Sequence, residues 1–115
     1  MSTKDKEKWV NDDTDELFAA ILRLRTRDEA RRFLRDLLTE KEILEFANRW
    51  KAVRMLERGR SYAEIEKETG MSSRTIARIN DWRKNGKQGY ALMLKRCGAS
   101  SHHHDRTSKE EIGCC

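Results

Sequence analysis

The sequence predicts an all-α domain, on three observations. Every convincing apolar segment repeats with helical period, and none alternates as a strand would. Three capping boxes, Thr26-Arg-Asp-Glu29, Thr39-Glu-Lys-Glu42 and Ser61-Tyr-Ala-Glu64, each open such a segment. Proline is absent from the 115 residues, so no helix is broken from within, and glycines and polar turns must separate them.

In chain order, Leu17, Phe18, Ile21, Leu22 and Leu24 form a stripe behind the acidic start Asp13-Thr14-Asp15-Glu16. Carboxylates there suit the positive end of a helix. At the first capping box Thr26 is placed to accept an N–H and Glu29 to reach back, and the helix it opens carries Ala30, Phe33, Leu34 and Leu37. The second box starts the longest helix, about 40–58, with Ile43, Phe46, Ala47, Trp50 and Val53 on one face. Gly59 follows as a natural C′ residue, able to take positive φ. The third box opens a short helix that stops at Gly70. A further helix is expected from Ser73 to about Lys84, ending near Gly86, and a last one over 88–97 with Tyr90, Leu92, Met93 and Leu94. Trp50 and Trp82 sit at core spacing, while Trp9 lies in a polar arm. From Gly98 onward the composition turns polar, so the chain divides into a helical domain, 1–97, and a C-terminal tail, 98–115, expected to be disordered.

Hydrophobic residues make up 37% and charged residues 39%. A monomer of this size and polarity buries little core, and dimerisation is the obvious remedy. No run of about 18 apolar residues exists to span a membrane, and Met1–Val10 lacks the apolar region of a secretory signal. The expected compartment is the cytoplasm, with Cys97, Cys114 and Cys115 as free thiols. No Gly-rich phosphate loop, Ser/His/Asp arrangement or H-E-x-x-H pattern is present. All three histidines, His102, His103 and His104, fall in the tail, leaving the domain without the commonest general base. An enzyme is not expected. Neither is a metal site, since a single His run and a terminal Cys pair lack the paired spacing of zinc ligands.

The net charge of +5 is localised. Between 71 and 95 six cations, Arg74, Arg78, Arg83, Lys84, Lys87 and Lys95, face one acid, Asp81. Such a patch attracts polyanions by steering and counterion release. The same window holds the second half of a helix-turn-helix pattern at about 62–84. That motif needs a short helix, a tight turn usually holding a Gly, and a second helix laid across the first. Gly70 supplies the turn, Ile65 and Thr69 face inward, Met71 plugs the corner, and Ile76 and Ile79 pin the second helix. Ser72, Ser73, Arg74, Thr75, Ala77, Arg78 and Asp81 are left outward. Arg74 and Arg78 lie one turn apart on one face. An Arg fork reads guanine N7 and O6 or grips a phosphate. Ser72 or Ser73 caps the helix, whose N–H groups suit a phosphate, and Thr75 suits a phosphate or a thymine methyl. Lys84 and Lys87 add sequence-independent attraction. Glu66 stands where many such motifs place a small residue. Two short helices joined by Gly also occur in ordinary bundles. The coincidence with the basic window is what favours double-stranded DNA as partner.

Over residues 37–82 the sequence resembles the Trp repressor superfamily, and within it the YerC/YecD-type homologues. The residues that carry the resemblance are Leu37-Leu38-Thr39, Asn48-Arg49-Trp50, Arg58-Gly59, Ser61 through Gly70, and Arg74-Thr75-Ile76-Ala77-Arg78. The resemblance implies an all-α, Trp repressor-like fold, an intertwined homodimer with paired recognition helices, and a transcriptional regulator on a roughly palindromic operator. It also implies a ligand pocket, in which Arg49 and Arg78 match the arginines that sandwich the corepressor tryptophan and Leu37, Leu38 and Thr39 match the loop that holds it. Two positions depart from the family: Ile79 replaces a Gly and Trp82 a Ser. Both add bulk where the ligand would lie, so tight tryptophan binding is not expected, although another small-molecule corepressor stays open. Arg49 has an equal claim to an ordinary ion pair with Glu45. The alternative reading of the whole chain is a helical dimeric binding module for RNA or an acidic protein partner.

Overall fold

The computed structural model describes residues 7–101 of the chain. The described residues form six helices and no strand: α1 (Asp12–Ile21), α2 (Arg27–Leu37), α3 (Glu40–Glu57), α4 (Tyr62–Thr69), α5 (Ser73–Asn85) and α6 (Gly89–Ser101). They fall into two compact units, Met1–Ile43 and Leu44–Cys115. The histidine run, Cys114 and Cys115 lie outside the described residues.

The first unit is built on local capping. Asn11, not the acidic cluster behind it, caps α1: its Oδ1 accepts from Thr14 N–H at 2.9 Å, and Thr14 Oγ1 accepts from Asn11 N–H at 2.9 Å. Thr26 caps α2 as expected, accepting from Glu29 N–H at 3.0 Å. Glu29, however, reaches one residue further back and accepts from Arg25 N–H at 2.9 Å. The Thr39–Glu42 box is complete, with both bonds between 2.9 and 3.0 Å. None of the residues in α1 or α2 is buried. Leu22 is 83% exposed.

The core belongs to the second unit. It comprises Ala52, Val53, Met55 and Leu56 of α3, Ile65 of α4, and Ile76 and Ile79 of α5, with Trp50, Met71, Tyr90 and Leu94 packed against it. Polar ties secure the same helices. Arg83 Nη1 donates to Glu57 Oε1 at 2.8 Å and fixes α5 to α3, and Lys51 pairs with Glu68 at 3.3 Å between α3 and α4. Gly59, at φ +80°, ends α3. Its N–H donates to Leu56 O and that of Arg60 to Met55 O, both at 3.0 Å, which is the Schellman pattern. Ser61 and Glu64 form the third box, bonded at 3.0 and 3.1 Å.

Four expectations need correction. Phe46 and Ala47 are exposed, because burial along α3 is confined to its C-terminal half. A stripe shows which face is apolar, but not whether the same chain covers it. Trp82 is 55% exposed rather than core. The buried face of α5 runs through Ile76 and Ile79, and at 100° per residue Trp82 lies about 90° round from its centre. Its indole and carbonyl instead crowd Gly86, where a Cβ would sit 2.6–2.7 Å from them. The last helix continues through Ser101, past the polar shift at Gly98, since Ala and Ser extend a helix already started. Cys97 is buried and disulfide-bonded rather than a free thiol.

Candidate nucleic-acid interface

Where the sequence predicts a helix-turn-helix, α4 and α5 are joined by a three-residue turn, 70–72. The turn needs Gly70, whose φ of +79° is the left-handed region that a Cβ disfavours. Thr69 pins it: its hydroxyl donates to Ile65 O at 2.7 Å and accepts from Met71 N–H at 3.1 Å. Periodicity places Thr69 inward but does not reveal this bridging, for which a Thr immediately before the turn glycine is the only signal. Met71 is half-buried against the core, as a corner plug should be. Asn80 Nδ2 donates to Tyr62 Oη at 3.2 Å and adds a polar tie between α4 and α5.

Ser72 rather than Ser73 caps α5, its Oγ accepting from Thr75 N–H at 3.1 Å. The N–H groups of Ser73 and Arg74, in the first turn, have no acceptor inside the helix and form an anion-seeking end. Ile76 and Ile79 bury the inner face. Ser73, Arg74, Ala77, Arg78 and Asp81 are exposed, whereas Thr75 is half-buried, its hydroxyl accepting from Ser72 Oγ at 3.1 Å. Asp81, the one acid of the basic window, takes Asn85 Nδ2 at 3.0 Å. Lys84 stands in the last turn of α5, and Lys87 follows Gly86 in the loop before α6; both are exposed. One helix therefore separates an isoleucine face that anchors it from an arginine face that meets solvent. That face can donate forked N–H pairs to base edges or phosphates.

Arg49, Arg78 and Ile79 meet at one cavity of about 440 Å³, with Glu45, Asn48, Met71 and Thr75. Arg49 sits with its Cζ 5.4 Å from the Phe46 ring centroid, a cation–π contact, rather than in the expected ion pair with Glu45. Ile79 is 8% exposed and part of the core. Trp82 lines a different cavity of about 580 Å³, beside Trp50, Tyr90 and Met93. Leu37, Leu38 and Thr39 occupy the α2–α3 junction in the first unit, where Leu38 ends α2 and Thr39 caps α3. Among the described residues no group of three or more His, Cys, Asp or Glu side chains could hold a metal ion. No described helix is long and apolar enough to cross a membrane.

Comparison with known proteins adds an independent observation. A family model described as Trp repressor protein matches residues 12–98. An uncharacterised protein of Bacillus subtilis, YerC, is 39% identical over 90 residues, covering 78% of this chain and 86% of its own length. The crystal structure of a TrpR-like protein from Eubacterium eligens superposes with a TM-score of 0.76 at 34% identity, covering 86% of this chain and 98% of that one. A Staphylococcus aureus protein described as a candidate Trp repressor gives 0.74 at 36% identity, covering 85% and 95%.

Proposed function

The chain belongs to the Trp repressor family, and from that premise we propose that it is a cytoplasmic, DNA-binding transcriptional regulator. It acts as a homodimer whose paired α5 helices enter successive major grooves of a roughly palindromic operator. The observation that carries this reading is the division of α5. Ile76 and Ile79 are buried inward, while Arg74 and Arg78 are exposed outward, inside the basic window of the chain. Arg74, Arg78 and Thr75 take base or phosphate contacts, Ser72 and Ser73 present the helix start, and Lys84 and Lys87 hold the backbone whatever its sequence.

Binding of labelled duplex DNA, followed by anisotropy across a salt series, tests the reading. Affinity should fall steeply with salt, with a log–log slope near −0.9 per phosphate neutralised. Preference for RNA or an acidic protein over duplex DNA would replace the reading with the alternative binding module.

Two exposures support the homodimer. Leu44 of α3 and Leu22 after α1 are 64% and 83% exposed, apolar surface that a second copy would cover. Tryptophan is not the effector in this reading. Ile79 lines the cavity with Arg49 and Arg78, and its bulk, where the family resemblance implies a Gly, is what supports this reading. Calorimetric titration with L-tryptophan should release no heat of binding, and DNA affinity should be unchanged by it. A micromolar complex would show that Ile79 yields.

A further inference from the structure

A second cationic site lies at the C-terminal end of α3, away from the cavity shared by Arg49 and Arg78. Lys51, Arg54 and Arg58 recur at i, i+3 and i+7 and share one helix face. With Met55, Arg60 and Glu68 they line a cavity of about 190 Å³. At 100° per residue this face is about 140° round α3 from the one that carries Glu45, Asn48 and Arg49. The local acids are already committed. Glu68 pairs with Lys51 at 3.3 Å and Glu64 with Arg60 at 3.0 Å. Neither Arg54 nor Arg58 takes part in an ion pair among the described residues.

Helix capping does not explain the two arginines. The carbonyls of Arg54, Met55 and Leu56 are taken by the backbone N–H groups of Arg58, Gly59 and Arg60. Arg54 is instead held against an aromatic wall, its Cζ 5.9 Å from the Trp50 ring centroid. Its Nε is buried and has no hydrogen-bond acceptor. A buried guanidinium donor without an acceptor is uncommon in folded proteins.

We propose that this cavity binds a phosphate group, with Arg54 and Arg58 as its ligands. Each guanidinium presents a planar N–H fork, and two of them without paired acids suit the several oxygens of a phosphate group, free or in a diester. The volume is well below the roughly 300–1,000 Å³ of sites for drug-sized molecules. It suits a free phosphate or a single phosphoryl group, not a whole nucleotide. The phosphate could come from solution or from a DNA backbone.

The test is proton–nitrogen NMR of the full chain near neutral pH, following the Arg54 Nε–H and Trp50 indole N–H signals. Inorganic phosphate is titrated against sodium chloride at matched ionic strength. A saturable shift of both signals with phosphate, absent with chloride and weakened about tenfold by Arg58→Gln, supports the site with free phosphate as its source. A shift seen only with a short duplex in phosphate-free buffer, and lost in the same variant, supports the site with backbone phosphate as its source. Arg58 is exposed, so Arg58→Gln should fold, and the wild-type titration stands without it. No shift with either probe, or an equal shift with chloride, overturns the proposal. The variant Arg74→Ala/Arg78→Ala should keep the phosphate response, so failure of the DNA reading would leave this site standing.

Discussion

At Glu64 a single side chain ties sequence, local structure and pH dependence together. The Ser61 N–H donates to its carboxylate, and Arg60 lies 3.0 Å away. These two partners, the backbone donor first, hold the carboxyl below the usual carboxylate range. A depressed acid contributes its stability above its unfolded pKa and loses it as pH falls through the folded value. Glu64→Gln should therefore lower the urea midpoint at neutral pH, and the difference from the wild type should vanish in acid. An unchanged difference in acid would show that the carboxylate's charge is not what matters. This residue is legible in sequence, as are Thr39, Glu42, Ser61 and Gly59, because a cap is decided within four residues of chain. Asn11 is less legible, because the acidic cluster behind it offers a competing start. The partner of Glu29 is not legible at all, because spacing alone does not distinguish Thr26 from Arg25 as the donor.

At the scale of the element, α5 carries the functional argument. Its inner and outer faces follow from the register of Ile76 and Ile79, so helical periodicity alone turns Arg74 and Arg78 outward. The same register argument fails for Trp82, which sits on the flank of the buried face and crowds Gly86. It fails again in the N-terminal half of α3, where Phe46 is apolar and exposed. Periodicity reports the direction of a side chain, and burial also depends on what lies opposite. Arg74 and Lys87 are expected to differ in kind. Arg74→Ala should cost about 1–3 kcal/mol on the preferred duplex and relax its sequence preference. Lys87→Ala should weaken all duplexes alike and reduce the salt slope by about one. Equal losses on all sequences from both variants would make Arg74 a phosphate contact and move base readout elsewhere on the helix.

For the molecule as a whole, the core is small and lies in the second unit, whereas α1 and α2 bury no residue. The composition anticipates this shortage, and the exposed apolar residues of α1, α3 and α6 show where it falls. If a second copy covers them, unfolding is coupled to dissociation. The melting temperature should then rise with protein concentration, and sedimentation equilibrium should give twice the 13.6 kDa chain mass. A melting temperature independent of concentration together with a monomer mass would remove the paired-helix geometry. The family and the fold are legible because the motif residues between Leu37 and Trp82 are dense and local. The effector is not, because spacing places Arg49, Arg78 and Ile79 on helix faces but does not encode how much room they leave between them.

The most direct test of DNA recognition through α5 is selection of bound duplexes from a random pool near physiological salt, run in parallel with wild type and Arg74→Ala/Arg78→Ala. Wild type should enrich a palindromic sequence, and the double variant, still folded, should not. Enrichment of the same sequence by both proteins, or of none by the wild type, would contradict recognition through α5.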